Sequence, residues 1–167
     1  VNVTCGPGAT NTITGVFGAW VDSIPMIIIS GQVKTTTNMR IAKSSVRQLG
    51  DQEVDICKIV EPITKYSYMV ESPEKIGFAL SRAYFEALTG RMGPTWIDIP
   101  IDIQGSFVKE EEMEYFQPPA FLGHELTASL SSEVTKTVQL LRESKCPVII
   151  AGSGVWFSNT QELLLEY

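Results

Sequence analysis

Histidine, cysteine and clustered positive charge are all scarce in this chain, and each scarcity removes a class of function. The 167 residues hold one histidine, His124, and three cysteines, Cys5, Cys57 and Cys146. The cysteines lie far apart, form no C-x-x-C pair and have no histidine beside them. Neither a zinc site nor a disulfide framework is expected; reduced thiols in a cytoplasmic protein fit better. Thirteen Lys and Arg stand against nineteen Asp and Glu, a formal net charge of −6. With no Lys/Arg stripe, a nucleic-acid partner is not expected. Much of the acidic excess is local, in Glu110-Glu111-Glu112 and Glu114, and reads as a solvated connector. No apolar run is long enough to span a membrane, and no basic leader precedes the first strand pattern. The chain opens inside that pattern without a starting Met, so it is expected to be a piece of something longer.

What is present is globular in character: 44% hydrophobic and 19% charged residues. The most informative stretch is Thr4-Cys5-Gly6-Pro7-Gly8-Ala9-Thr10-Asn11, between an apolar start (Val1, Val3) and an amphipathic run from Ile13 to Trp20. Strand, glycine turn and helix in that order aim backbone amides at a ligand. Pro7 lacks the N–H that a phosphate cradle needs, and it stiffens the turn. A flat, uncharged group suits such a turn better than a pyrophosphate. A dinucleotide fingerprint is disfavoured too: Asn11 stands where the third glycine belongs, and no acid ends the next strand near Ile29-Ser30.

Along the chain, a helix is expected over about Ala9–Trp20, with Ile13, Val16, Phe17 and Trp20 inward. Met26-Ile27-Ile28-Ile29, ended by Ser30-Gly31, reads as a buried parallel strand, completing a βαβ unit. From Gln32 to Gln52 periodicity disappears, a polar excursion longer than ordinary connections. Asp51 is a plausible N-cap for a short helix with Gln52 in its first turn. Lys65–Val70 reads as a strand. Ser72-Pro73-Glu74 signals a helix start, with Ile76, Leu80, Ala83, Tyr84 and Ala87 inward and a stop at Gly90. Thr95–Pro100 reads as a second buried strand, within which Asp98 pairs or caps. Trp20 and Trp96 are read as core, and His124 as solvated. Acidic clusters and Pro118-Pro119 mark a linker. Beyond it come a helix carrying Val134, Val138 and Leu141, a strand Pro147–Ala151, and the glycine turn Gly152-Ser153-Gly154. The expected organisation is a partial α/β domain over residues 1–106, a linker over 107–130, and the start of a second α/β domain over 131–167.

Six stretches, in order, resemble the thiamine diphosphate-dependent enzymes of the acetolactate synthase type: Gly6-Pro7-Gly8-Ala9-Thr10-Asn11, Asp22-Ser23-Ile24-Pro25-Met26, Gly31-Gln32-Val33, Gln52-Glu53-Val54-Asp55, Ile63-Thr64-Lys65, and Thr89-Gly90-Arg91-Met92-Gly93-Pro94 running into Ile97-Asp98-Ile99-Pro100. The resemblance implies a three-layer αβα parallel-sheet fold, the pyrimidine-binding domain, followed by the start of a central domain. It implies that Gly6, Pro7, Gly8 and Asn11 line the pyrimidine end of thiamine diphosphate, and that Gln52 reaches toward the thiazolium and substrate. In flavin-containing members Arg91, Gly152 and Gly154 match positions that hold FAD. The activating glutamate lies upstream of Val1 in the family, and the Mg²⁺- and diphosphate-binding domain lies downstream. No residue here is therefore catalytic or a metal ligand, and the chain alone is expected to be inactive.

The activity implied is a carboligase that condenses 2-keto acids, pyruvate foremost, with loss of CO2, as in branched-chain amino-acid synthesis. Its implied partners are a second copy, in a homodimer or homotetramer, and a small regulatory subunit. Asp51 replaces an aromatic residue of the family, Ile101 replaces a lysine, and the loop before Asp51 is longer. All three bear on the substrate, so a decarboxylase or a carboligase for another acceptor stays open. So does a non-catalytic nucleotide- or flavin-binding module, because fold alone does not establish function.

Overall fold

The computed structural model describes residues 1–120 and 128–166, so His124 lies outside the described residues. Two compact units are present, Val1–Pro118 and Pro119–Tyr167.

The first unit is built on four parallel strands: β1 (Asn2–Val3), β2 (Met26–Gln32), β3 (Tyr66–Met69) and β4 (Pro94–Pro100), in the order β1-β2-β4-β3. β2 and β4 pair in unbroken register from Met26↔Pro94 to Gln32↔Pro100. The strand thus runs past Ser30-Gly31, where the sequence suggested it stops; Gly31 pairs with Ile99 and fits the ladder without a bulge. Because side chains alternate across a strand, β2 and β4 feed two cores. Ile28 and Trp96 point one way, onto α1 (Pro7–Thr10), α2 (Ile13–Val21) and α4 (Ile56–Val60); Ile97 points the other, onto α5 (Ile76–Leu88). Helices on both faces of a parallel sheet make the three-layer αβα arrangement.

Several local expectations are corrected. The single helix Ala9–Trp20 is two. Proline at N1 starts α1 at Pro7, and the Thr12 hydroxyl then donates to the Ala9 carbonyl at 2.7 Å, breaking the run at Asn11-Thr12. That break resets the helical phase, so Val16 and Ala19 are buried while Phe17 is 52% and Trp20 36% exposed. Trp20 is therefore not core, whereas Trp96 is fully buried. In α5 the inward stripe is Ala79, Ala83 and Ala87. These small side chains seat the helix closely on the sheet, which turns Leu80 and Tyr84, one residue further round, outward. Ser72 makes no side-chain cap bond; a 3-10 turn over Pro73–Lys75 leads into α5 instead. α5 ends at Leu88, and Gly90 takes a left-handed φ of +63° in the turn toward β4.

The helix cap expected at Asp51 belongs to Asp55, whose carboxylate accepts the Lys58 N–H at 3.2 Å. Gln52 is not helical: its φ is +55°. The excursion from Gln32 to Gln52 holds a 3-10 turn, Thr35–Thr37, and the short α3 (Met39–Ala42), capped by Asn38. After β4, α6 (Ile101–Gln104) follows directly. Residues beyond it stay on the first unit: the Glu114 N–H donates to the Glu74 carbonyl, and Phe116 meets Phe78 and Phe85.

The second unit contains α7 (Ala128–Glu143), α8 (Ser153–Phe157) and α9 (Gln161–Glu166). On α7, Val138 and Leu141 are half-buried and Val134 is exposed. Residues 147–151 form no strand, contrary to expectation, and Val148 and Ile150 are exposed. An extended apolar run becomes a strand only with a neighbour to take its amides; none is present among the described residues.

Candidate functional site

All four strands point their carboxyl ends to one edge, where open α/β sheets bind ligands. The glycine turn leaves β1 there. Gly6 adopts φ +54°, a region open to glycine, and it lies directly against the backbone of Gln52. A Cβ on Gly6 would stand 2.1 Å from the Gln52 carbonyl oxygen; one on Gly8 would stand 2.5 Å from the Thr4 methyl. Both glycines are thus required by close approach, and residues 46 apart in sequence form one surface. Pro7 and Asn11 are exposed beside it, and the Asn11 carboxamide makes no hydrogen bond among the described residues. A cavity of about 530 Å³ runs along the same edge past Thr4, Cys5, Gly31, Gln32 and Ile101.

Beneath this edge lies a buried polar chain that the sequence did not reveal. The Asp98 carboxylate, 1% exposed, accepts from the Ser30 hydroxyl at 2.6 Å and the Gln32 amide at 2.8 Å. Trp96 Nε1 donates to the same Ser30 oxygen at 2.8 Å. Gln32 also donates to the Val54 carbonyl at 2.9 Å and accepts the Val33 N–H, so it ties both ends of the long excursion to the sheet. Burial pushes the Asp98 carboxyl up to about 6, against the two hydrogen bonds that favour its charge. Only the alternation of Ser30, Gln32 and Asp98 with apolar neighbours hinted at this; a polar residue in a buried strand must find a partner. Asp98 thus pairs, as expected, though inside the sheet.

A second pin secures the excursion. Asp102 accepts from the Thr35 N–H and, at 2.5 Å, from its hydroxyl. Burial raises its carboxyl, but the bonds from Thr35 together with the backbone N–H groups of Asp102 and Ile103 outweigh it and hold the carboxyl below the usual range. Cys57 is buried under the sheet, and burial, its largest cause, pushes its thiol well up. It is suited to packing, not to nucleophilic work.

Arg91 is not part of this edge. It lies where α5 leads into the amino end of β4, and its Nε donates to Ser23 Oγ at 2.8 Å. It lines a separate cavity of about 620 Å³ with Trp20, Lys65 and Met92. The end of α5 is capped by Lys65, whose ammonium donates to the Glu86 and Thr89 carbonyls. In the second unit Gly152 precedes α8 and Gly154 lies within it, and a Cβ on either would meet nothing. The structure therefore joins Gly6, Pro7, Gly8 and Gln52, leaves Asn11 one turn away at the end of α1, and holds Arg91, Gly152 and Gly154 elsewhere. Among the described residues no group of three or more His, Cys, Asp or Glu is placed to hold a metal, and no helix is long and apolar enough to cross a membrane.

Residues 1–59 match the family described as thiamine pyrophosphate enzyme, N-terminal TPP binding domain. The chain is 38% identical over 98% of its length to an acetolactate synthase large subunit of Buchnera aphidicola, covering 27% of that protein. It is 36% identical over its whole length to the acetolactate synthase large subunit of Lactococcus lactis, again covering 27%. Against the chloroplastic acetolactate synthase of Arabidopsis thaliana it is 33% identical over 95% of its length, covering 22%. The chain thus spans about a quarter of the length of the curated relatives it matches.

Proposed function

We propose, from the premise that this chain belongs to the thiamine diphosphate-dependent enzyme family of the acetolactate synthase type, that it forms the pyrimidine side of a cofactor site. The enzyme it serves is a carboligase condensing two 2-keto acids, pyruvate first, with loss of CO2. The observation carrying this is the contact of Gly6 with the Gln52 backbone at the carboxyl edge.

The residues present fit the group. A phosphate would need amides where Pro7 has none, while a flat heteroaromatic ring needs a rigid wall and one polar contact. The 6–8 turn supplies the wall, and Asn11 has a carboxamide free among the described residues to serve as that contact. Gln52, held in its left-handed turn against Gly6, would face the thiazolium and substrate side, as the family resemblance assigns it. Thiamine diphosphate, when bound, supplies the electron sink for decarboxylation. The chain's own part is to orient and to keep the site dry.

The rest of the assignment follows the family. Residues 1–106 act as the pyrimidine domain, 107–130 as a linker and 131–167 as the start of a central domain. The activating glutamate and the residues for Mg²⁺ and diphosphate lie outside residues 1–167, and a second copy, in a homodimer or homotetramer, completes the site. The relatives' designation as large subunits favours a small regulatory partner. Arg91, and separately Gly152 and Gly154, are assigned to FAD by the family resemblance; within the first unit, the cavity that Arg91 lines with Trp20 and Met92 suits a flat ring. A cytoplasmic location accords with the free thiols.

The full-length protein, assayed with pyruvate, thiamine diphosphate and Mg²⁺, is expected to yield acetolactate. Cofactor binding without acetolactate would overturn the carboligase in favour of a decarboxylase or another acceptor. No cofactor binding would overturn the whole assignment.

A further inference from the structure

Resting on that function, we infer that Arg40, Arg47 and Lys58 form a receptor for a small oxyanion, a phosphate or a carboxylate, beside the edge proposed for the cofactor. The three line one cavity of about 370 Å³ together with Asn38, Glu53 and Met69. The cavity adjoins Gln32 at the carboxyl end of β2 and Glu53 and Val54, the two residues after Gln52, and so lies beside the edge proposed for the cofactor. Its volume falls in the range of small-molecule sites.

Charge is unbalanced in this cavity for a specific reason. Two acids line it, but both are engaged by backbone amides. Glu53 accepts from the Met39 N–H, the Leu49 N–H at 3.3 Å and the Gly50 N–H at 3.1 Å. Asp55 accepts the Lys58 N–H as the cap of α4. Among the described residues none of the three cations forms an ion pair or donates a side-chain hydrogen bond; the ion pairs lie elsewhere, as Lys75–Glu71, Arg82–Glu86 and Lys109–Glu112. Three cations against two carboxylates leave the lining with a net charge of +1, and a bound oxyanion balances it while giving each guanidinium a bidentate acceptor.

The excursion is folded to make this cavity. Arg40 and Arg47 lie on opposite limbs of the loop, and Glu53 draws those limbs together by bonding Met39 on one and Leu49 and Gly50 on the other. Gly50 closes the loop where a Cβ would stand 2.8 Å from Val33. Asn38, buried beneath, fixes α3 by accepting the Arg40 and Ile41 N–H groups. The Arg40 charge is felt inward: it partly offsets the burial that raises Cys57 and Asp98. With net charge −6 over the chain, a local cationic cavity points to a small anionic ligand and not to a polyanion.

The test is calorimetric titration of the full-length protein with inorganic phosphate and, separately, malonate at low ionic strength. Thiamine diphosphate affinity is measured in parallel. Wild type is expected to bind at least one anion, and Arg40→Gln and Arg47→Gln to weaken it about tenfold or more each. Arg142→Gln, in the second unit, is expected to leave it unchanged. Preference for phosphate assigns a phosphate ligand, and preference for malonate a carboxylate ligand. Anion binding equal in the variants and wild type, or absent from a wild type that binds thiamine diphosphate, overturns the receptor. Anion binding lost in the variants without any thiamine diphosphate affinity overturns the cofactor assignment while the receptor stands.

Discussion

Replacing Gly6 by alanine tests the contact on which the site rests, and Gly90→Ala supplies its control. Both glycines have left-handed φ, +54° and +63°. A Cβ at Gly90 meets nothing, whereas one at Gly6 would stand 2.1 Å from the Gln52 carbonyl oxygen. Gly90→Ala therefore pays only the backbone term, about 1 kcal/mol. Gly6→Ala meets at least that term, its ψ of −119° lying outside the left-handed helical well, and must also push the Gln52 backbone away by about 1.3 Å to restore an ordinary contact, at a further ~1–3 kcal/mol of overpacking. The obstacle is main chain, so no rotamer change relieves it. The expected difference between the two variants in urea unfolding is about 1–3 kcal/mol. Thiamine diphosphate affinity should fall in Gly6→Ala alone, because Gln52 moves. If the two variants unfold within ~0.5 kcal/mol of each other with unchanged cofactor affinity, then Gly6 and Gln52 do not form one wall.

Three further outcomes are expected. Asp98 has a folded pKa of about 6 against an ordinary 3.8, so the native state holds its proton more tightly than the unfolded chain. That stabilisation is fully present below about pH 4 and lost as pH rises through about 6, roughly 3 kcal/mol in all. The stability difference between wild type and Asp98→Asn should fall by about that amount over the window; a flat difference would show that Asp98 does not titrate there. Lys65→Met removes both side-chain donors from the end of α5 and should cost ~1–2 kcal/mol of unfolding free energy, with β4 pairing intact; a loss below ~0.3 kcal/mol would mean water replaces the cap equally well. Finally, thiol labelling followed by peptide mapping should modify exposed Cys146 readily and buried Cys57 only on unfolding. Labelling of Cys57 as fast as Cys146 would contradict its burial.

What residues tell of their near neighbours was largely legible in the chain itself. The apolar run Met26–Ile29 and the stretch Thr95–Ile99, apolar apart from Thr95 and Asp98, pointed to a parallel sheet covered on both faces, because strands buried on both sides lack the polar alternation of half-exposed ones. Pro7, lacking an N–H, argues against phosphate at the glycine turn, and six ordered stretches carried the resemblance to the family whose model matches residues 1–59. Helix faces were less legible. The stripe on α5 was misjudged at Leu80 and Tyr84 because alanines, weak in hydrophobicity, win the sheet by allowing close approach. The break at Asn11-Thr12 depended on a hydroxyl choosing a carbonyl. The cap fell to Asp55 because Gly50–Gln52 are bent into a turn by contacts from the other end of the domain.

The site divides the same way. The residues proposed for it, Gly6, Pro7, Gly8, Asn11 and Gln52, are named from the sequence and the family resemblance. That Gly6 touches Gln52, that Asp98 is met by Ser30 across 68 positions, and that Glu53 gathers Arg40 and Arg47 into one cavity are decisions of the tertiary structure alone. Propensity and capping act over a few residues, and a sequence states them directly. Backbone approach and charge balance depend on which distant segments the sheet brings to its carboxyl edge, and only the folded chain settles those distances.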